Sequence, residues 1–342
     1  MGLGYILMTA VNAIMPILLM ILLGYVLRRI NFFNDNFIKI SNKLVFNVCL
    51  PVMLFVNIYD IEGFYIIQWD VVTYTVLALC LLFIISFAIA LTATKVPERK
   101  GVVMQCVYRS NYAIIGLPLA SALGGAEAMA VAAVISAFCI PVFNIFAVIS
   151  LTIFHKDPTS KKLDIGGILR NIAKNPLIIG VALGLVCLGI RQIQTDIFGD
   201  LVFSISRDTK FLYTALNSLK AITSPLALIV LGGQFTFSAV KGMFREIAVG
   251  TFSRIILAPL VGIGLAVILS NYTNLLSCGI SEYPVLISVF GSPVAVSSAV
   301  MAEGMKNDGQ LAAQLVVWTS LFSIFTIFIT ICVMMQFGLL IP

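Results

Sequence analysis

The chain has 342 residues, of which 60% are hydrophobic and 11% charged, and its mean hydropathy is +1.08; soluble domains hold about 25% charged residues. Such a composition excludes a water-exposed globular chain and sets the class as an all-α polytopic membrane protein. The net charge of +6 means less in a membrane chain than its distribution over the loops, so membrane lipid is an expected partner and nucleic acid is not.

A spanning helix needs about 20 apolar residues, and cutting the sequence at its charged and turn-rich joints predicts ten such helices, at 5–27, 38–58, 70–94, 101–123, 127–154, 171–190, 212–236, 246–270, 283–304 and 310–337. The first has no basic region before it and is long enough to be retained. The second and seventh are the most polar, yet each holds an interior proline, Pro51 and Pro225. The fourth is interrupted by Gly116, Leu117 and Pro118, and the ninth by Gly291, Ser292 and Pro293. Proline removes a backbone donor and crowds the preceding turn, so both helices are expected to break at these points. Freed backbone groups are tolerated at membrane depth only against protein or a wet cavity. A pair of interrupted spans in corresponding places marks a transporter's binding site.

Basic residues gather in the joints after helices one, three, five and seven, including Arg28, Arg29, Lys95, Arg99, Lys100, Lys156, Lys161, Lys162, Arg170, Lys241 and Arg245. The positive-inside rule makes these joints cytoplasmic and places both termini outside. The joint after helix six is mixed in charge. An odd number of spans per half inverts the second half, which predicts two inverted five-helix repeats, 1–155 and 171–342, joined by a cytoplasmic linker at 156–170.

Around the first break lie Gln105, Arg109, Ser110 and Asn111. Asn111 can donate to and accept from a substrate beside exposed half-helix N–H groups, or tie two helices together; spacing does not separate these roles. Arg109 lies about two turns inside the membrane, where a cation either counters an anionic substrate or snorkels to the interface. In the ninth helix Ser292, Ser297 and Ser298 surround Pro293, and Glu303 closes the segment. Glu303 and Gln105 are the candidates for an ion or a proton, with a solvated helix end as the alternative for Glu303. Asn47, Pro51 and Pro225 are expected on the side facing the crossing pair. The seven cysteines are scattered singly, and the chain offers neither a metal or disulfide framework nor a cofactor motif. The absence of a catalytic constellation argues against an enzyme.

The strings Asn111 to Gly125 (NYAIIGLPLASALGG), NKLVFNVCLPVMLF, NPLIIGVALG, SPLALIVLGGQF, RIILAPLVG and SPVAVSSAVMAEG resemble the auxin efflux carrier family in its bacterial branch, and the likeness runs through nearly the whole chain. The resemblance implies crossed broken helices four and nine, a scaffold of helices one, two, six and seven, and a transport domain of helices three to five and eight to ten. It further implies elevator-type alternating access, a bacterial cytoplasmic membrane, a small carboxylate such as malate or malonate as substrate, and Asn111 beside its carboxylate, with Pro118 as the first crossover proline. Ser297 and Ser298 stand where plant relatives carry a second crossover proline. Export of an organic anion is the expected function; a sodium-coupled symporter and a membrane ligand sensor are the alternatives, and a homodimer stays open.

Overall fold

The computed structural model describes residues 3–61, 63, 68–154, 174, 176–234, 242–273 and 275–340, so the linker expected at 156–170 lies outside the described residues. These residues are helical almost throughout. In chain order they form α1 (Leu3–Arg29), α2 (Asp35–Tyr59), α3 (Trp69–Ala93), α4 (Pro97–Tyr108), α5 (Leu117–Ile153), α6 (Pro176–Phe198), α7 (Ile205–Asp208), α8 (Lys210–Gly233), α9 (Phe244–Tyr272), α10 (Glu282–Gly291), α11 (Ser297–Gly304) and α12 (Gly309–Gln336). Seven helical stretches among the described residues are long and apolar enough to cross a membrane, and the chain is a multi-pass membrane protein. Each predicted segment overlaps one of these helices.

Local chemistry sets the boundaries. Asn34 caps α2 by accepting from the Phe37 N–H, and Asp308 caps α12 by accepting from the Leu311 N–H, in each case satisfying a donor that the first turn leaves free. Pro97 opens α4 and Pro176 opens α6, positions where a missing N–H costs nothing. Between α7 and its preceding loop, Arg207 holds the Asp208 carboxyl below the usual carboxylate range, and Asp208 accepts from the Ser204 N–H at 2.7 Å.

The fourth predicted helix breaks at a different place from the one expected. The chain is non-helical at Arg109–Asn111, re-enters through a π turn at Tyr112–Gly116 and continues straight through Pro118 into α5. With the interruption one to two turns upstream, Pro118 falls in the opening turns of a new helix. The wide turn, in which the Leu117 N–H reaches the Tyr112 carbonyl, absorbs its ring. The expected boundary between the fourth and fifth helices is a bend inside α5 at Gly125, whose φ of 64° and ψ of −149° suit glycine. The ninth helix breaks where expected: Ser292 is extended (φ −63°, ψ 149°) ahead of Pro293, as residues before proline prefer.

The most extensive helix–helix contacts fall within two groups, and α1 also packs on α12 and α5 across them. In one, α1 lies against α8 so closely that a Cβ on Gly24 would meet the Ile229 carbonyl oxygen at 1.9 Å, and one on Gly232 the Ile21 oxygen at 1.8 Å. In the same group α2 packs on α6, with Lys220 of α8 paired to Asp60 at 3.2 Å and Arg191 of α6 bonded to the Tyr59 carbonyl. The other group holds α3–α5 and α9–α12. At one end of it Arg99 reaches Asp308 at 2.9 Å and Glu246 at 3.1 Å, while Thr94 donates to Glu246 at 2.8 Å. At the other end Gln68 donates to Glu282 at 2.8 Å. Each of the five ion pairs among the described residues stays within one group.

Candidate functional site

The two breaks lie against each other. Ser110 and Val294 form an isolated antiparallel bridge, in which the Asn111 N–H donates to the Pro293 carbonyl at 2.7 Å and the Ala295 N–H to the Arg109 carbonyl at 3.2 Å. Two short extended pieces thus satisfy part of each other's backbone, as membrane depth demands. The Thr319 hydroxyl of α12 accepts from the Val294 N–H at 3.2 Å, which ties the bridge to a third element.

This arrangement sorts the four half-helix ends by charge. The ends of α4 and α10 bring carbonyls to the middle of the protein, and the starts of the Tyr112 turn and of α11 bring N–H groups. A helix start carries about +0.5 elementary charge and a helix end about −0.5. Arg254 takes the carbonyl side. It stands in a π turn of α9 (Ser253–Leu257), is 0% exposed, and donates to the carbonyls of Ser292 at 2.7 Å, Val289 at 2.9 Å, Val107 at 3.1 Å and Phe290 at 3.2 Å.

The N–H side faces a cavity of about 340 Å³. Arg109, Ser110, Asn111, Tyr112 and Ala113 line it from the first break, Ala295, Ser297 and Met301 from the second, and Ile140, Phe143 and Asn144 from α5. Phe46 and Asn47 of α2, with Pro176 and Leu177 of α6, close it from the other packing group. A mostly apolar wall with a few convergent polar groups is the usual construction of a small-molecule site.

Arg109 dominates its electrostatics. The side chain is 4% exposed and donates to Gln105 Oε1 at 2.6 Å, Met301 Sδ at 2.8 Å, Asn144 Oδ1 at 3.1 Å and Ser297 Oγ at 3.1 Å. Every one of these acceptors is neutral. Among the described residues the ion pairs include neither Arg109 nor Arg254. Asn111 is also 4% exposed, and its Nδ2 has no hydrogen-bond partner, nor have Ser110 Oγ, Gln105 Nε2, Ser292 Oγ and Ser298 Oγ. Buried polar groups are normally paired, so a positive field lies beside donors without acceptors.

The site residues expected from sequence divide accordingly. Arg109, Asn111, Ser297 and Asn47 meet at the cavity, and Gln105 stands behind Arg109. Ser298 and Ser292 are buried near the crossing without lining the cavity, and Pro293 supplies the carbonyl that joins the breaks. Gly116 faces α10, where a Cβ would lie 3.0 Å from the Ser288 carbonyl oxygen and 2.5 Å from the Tyr112 ring. Pro118 is half-buried in α5 and outside the cavity, Pro51 packs beneath Gly180 of α6, and Pro225 is exposed on α8. Glu303 is exposed at the end of α11, outside the lining of this cavity. Asn144 and Met301 were not among the expected residues; a lone amide in the apolar run of α5 was the available signal for Asn144.

A family model described as membrane transport protein matches residues 9–166 and 162–331. An uncharacterized transporter of Methanocaldococcus jannaschii is 26% identical over 325 residues, which are 94% of this chain and 97% of that protein.

Proposed function

Because the chain belongs to the auxin efflux carrier-type family of membrane transport proteins, and is a transporter rather than an enzyme, we propose that it moves small organic anions, mono- or dicarboxylates, through the Arg109 cavity. The observation that carries this reading is Arg109 itself, a buried guanidinium that lines a 340 Å³ cavity and is held only by neutral acceptors. One guanidinium charge and two half-helix starts, each about +0.5, favour an anion with one or two negative charges. Asn111 Nδ2 is a donor for one carboxylate oxygen, and Arg109 and Ser297 receive the rest of the group.

The overlap of every predicted span with a helix supports the reading of a ten-span topology in two inverted repeats, 1–155 and 171–342, with both termini outside a bacterial cytoplasmic membrane. The scaffold is α1, α2, α6, α7 and α8, and the transport domain is α3–α5 with α9–α12. The confinement of the five ion pairs to one group or the other favours movement of one rigid body against the other. A cavity closed on one side by α2 and α6 and otherwise lined by the moving group suits elevator-type alternating access. Export follows from the inside-negative potential, which contributes about 2.3 kcal/mol per charge per 100 mV.

Reconstituted protein tests the proposal. Labelled malate, malonate and indole-3-acetate are offered to liposomes under imposed voltage, sodium and proton gradients. Flux that follows voltage without sodium is the expected result. Binding without flux makes the protein a sensor, and flux of none of the three with no binding removes this substrate class.

A further inference from the structure

Carbonyls at the ends of interrupted helices are where carriers of this construction hold a coupling cation, because freed oxygens and two negative helix ends converge there. In this protein that place is filled from within. Arg254 is fully buried and donates four hydrogen bonds, one to Val107 at the end of α4 and three to Val289, Phe290 and Ser292 around the end of α10. Two helix ends of about −0.5 each match one guanidinium charge. No carboxylate among the described residues pairs with it.

We infer that Arg254 is a tethered substitute for a coupling cation: it occupies the carbonyl side of the crossing permanently and makes substrate binding and transport independent of sodium. The inference rests on the anion-carrier reading for its consequence in transport, but its structural half stands on the Arg254 bonds alone. Geometry separates the two arginines by role. Arg254 meets only backbone carbonyls and lies outside the cavity, so it is a positioning residue, whereas Arg109 lines the cavity and donates only to neutral side-chain acceptors that an anion could displace. A second consequence concerns shape. A diffusible cation would let the two breaks relax when it leaves; a side chain anchored on α9 keeps α4 and α10 registered through the whole cycle. The π turn at Ser253–Leu257 sets Arg254 in the wall of α9 that faces both ends.

The test compares wild type with Arg254→Ala and Arg254→Lys. Purified proteins are heated without substrate in buffers whose only added cation is sodium, N-methylglucamine or low-millimolar guanidinium. Wild type is expected to melt at the same temperature in sodium and N-methylglucamine. Arg254→Ala is expected to melt lower, and to recover on the order of 2–4 °C with guanidinium or sodium as either ion enters the vacated carbonyls. Guanidinium would refill the space left by any buried arginine, so the sodium response is the one that a purely structural side chain would not produce. Arg254→Lys, which keeps a charge there, is expected to melt lower than wild type yet ignore sodium. A sodium response in wild type or in Arg254→Lys overturns the inference, as does a folded Arg254→Ala protein that does not respond to sodium. Should Arg254→Ala fail to fold, the other two proteins decide. Flux is read separately. Wild-type flux that requires sodium overturns the inference and leaves the anion carrier standing, whereas absence of flux with the thermal pattern intact sinks the carrier reading alone.

Discussion

The Asn111 N–H donates to the Pro293 carbonyl at 2.7 Å, so a residue that lines the cavity and carries a buried, unpartnered side-chain amide is held by its own backbone to the opposite break. Side chain and backbone therefore separate in a mutant. Asn111→Ala keeps the backbone bond to Pro293 and removes the side-chain carboxamide. Carboxylate affinity is expected to fall about 10- to 100-fold, the worth of a hydrogen bond to a charged group, with an unchanged melting temperature. Calorimetric titration of the purified variant with malonate checks it; equal affinity removes Asn111 from the site.

Arg109→Gln takes the charge from the cavity. Dianions are expected to weaken more than monoanions, by on the order of 10-fold or more for the dianion, and competition binding with malonate and acetate separates the two. Equal losses for both would make Arg109 a packing residue. Arg109→Lys is expected to restore little, since a point charge cannot replace a planar fork that reaches Gln105, Asn144 and Ser297 together.

Asn144→Asp puts a carboxylate 3.1 Å from Arg109 in place of a neutral oxygen. The internal anion then competes with any external one. Affinity is expected to drop by about 10-fold or more, while the melting temperature holds or rises. Paired thermal-shift and binding measurements read both, and a variant that still binds wild-type amounts of anion argues against Arg109 as its partner.

Glu303→Gln is expected to leave the pH dependence of flux unchanged, because Glu303 is exposed at the end of α11 and lines no part of the cavity. A shifted pH profile in proteoliposomes would make it a proton carrier.

Gly232→Ala forces a methyl group onto the Ile21 carbonyl, where 1.8 Å separates the two positions. Overpacking of this kind costs about 1–3 kcal/mol. A lower melting temperature with unaltered anion affinity in the surviving folded fraction is the expected outcome, and loss of affinity would tie the α1–α8 contact to the cavity.

The helices were legible because hydropathy and charged joints act locally: each predicted segment overlaps one. The two interruptions were legible as a pair, but their positions were not equally so. At Pro293 the proline itself ends the helix, whereas at Pro118 a π turn accommodates the ring and the chain opens earlier, at Arg109–Asn111. No residue-by-residue propensity contains that shift, since it depends on the bridge from Ser110 to Val294. Arg109 was recognisable by its depth, yet three of its four acceptors come from distant parts of the chain. Arg254 is a buried arginine like Arg109, and its bonds to the carbonyls of Val107 and Val289 set the two apart. Asn144 escaped notice inside an otherwise apolar helix.

The contact between Arg109 and Met301 bears on which molecules the cavity refuses. A thioether sulfur is a weak acceptor, and at 2.8 Å it occupies one direction of a guanidinium whose other acceptors are amide and hydroxyl oxygens. Any ligand reaching Arg109 must take over such a direction. A carboxylate gains a charge-assisted bond about twice as strong as a neutral one, so the exchange runs in its favour. An amide or an alcohol of the same shape offers an oxygen no better than those of Gln105 and Asn144, and gains little by entering. These bonds hold the arginine in an arrangement that neutral analogues leave undisturbed, which makes malonamide a poor competitor of malonate even where the two fit the same space.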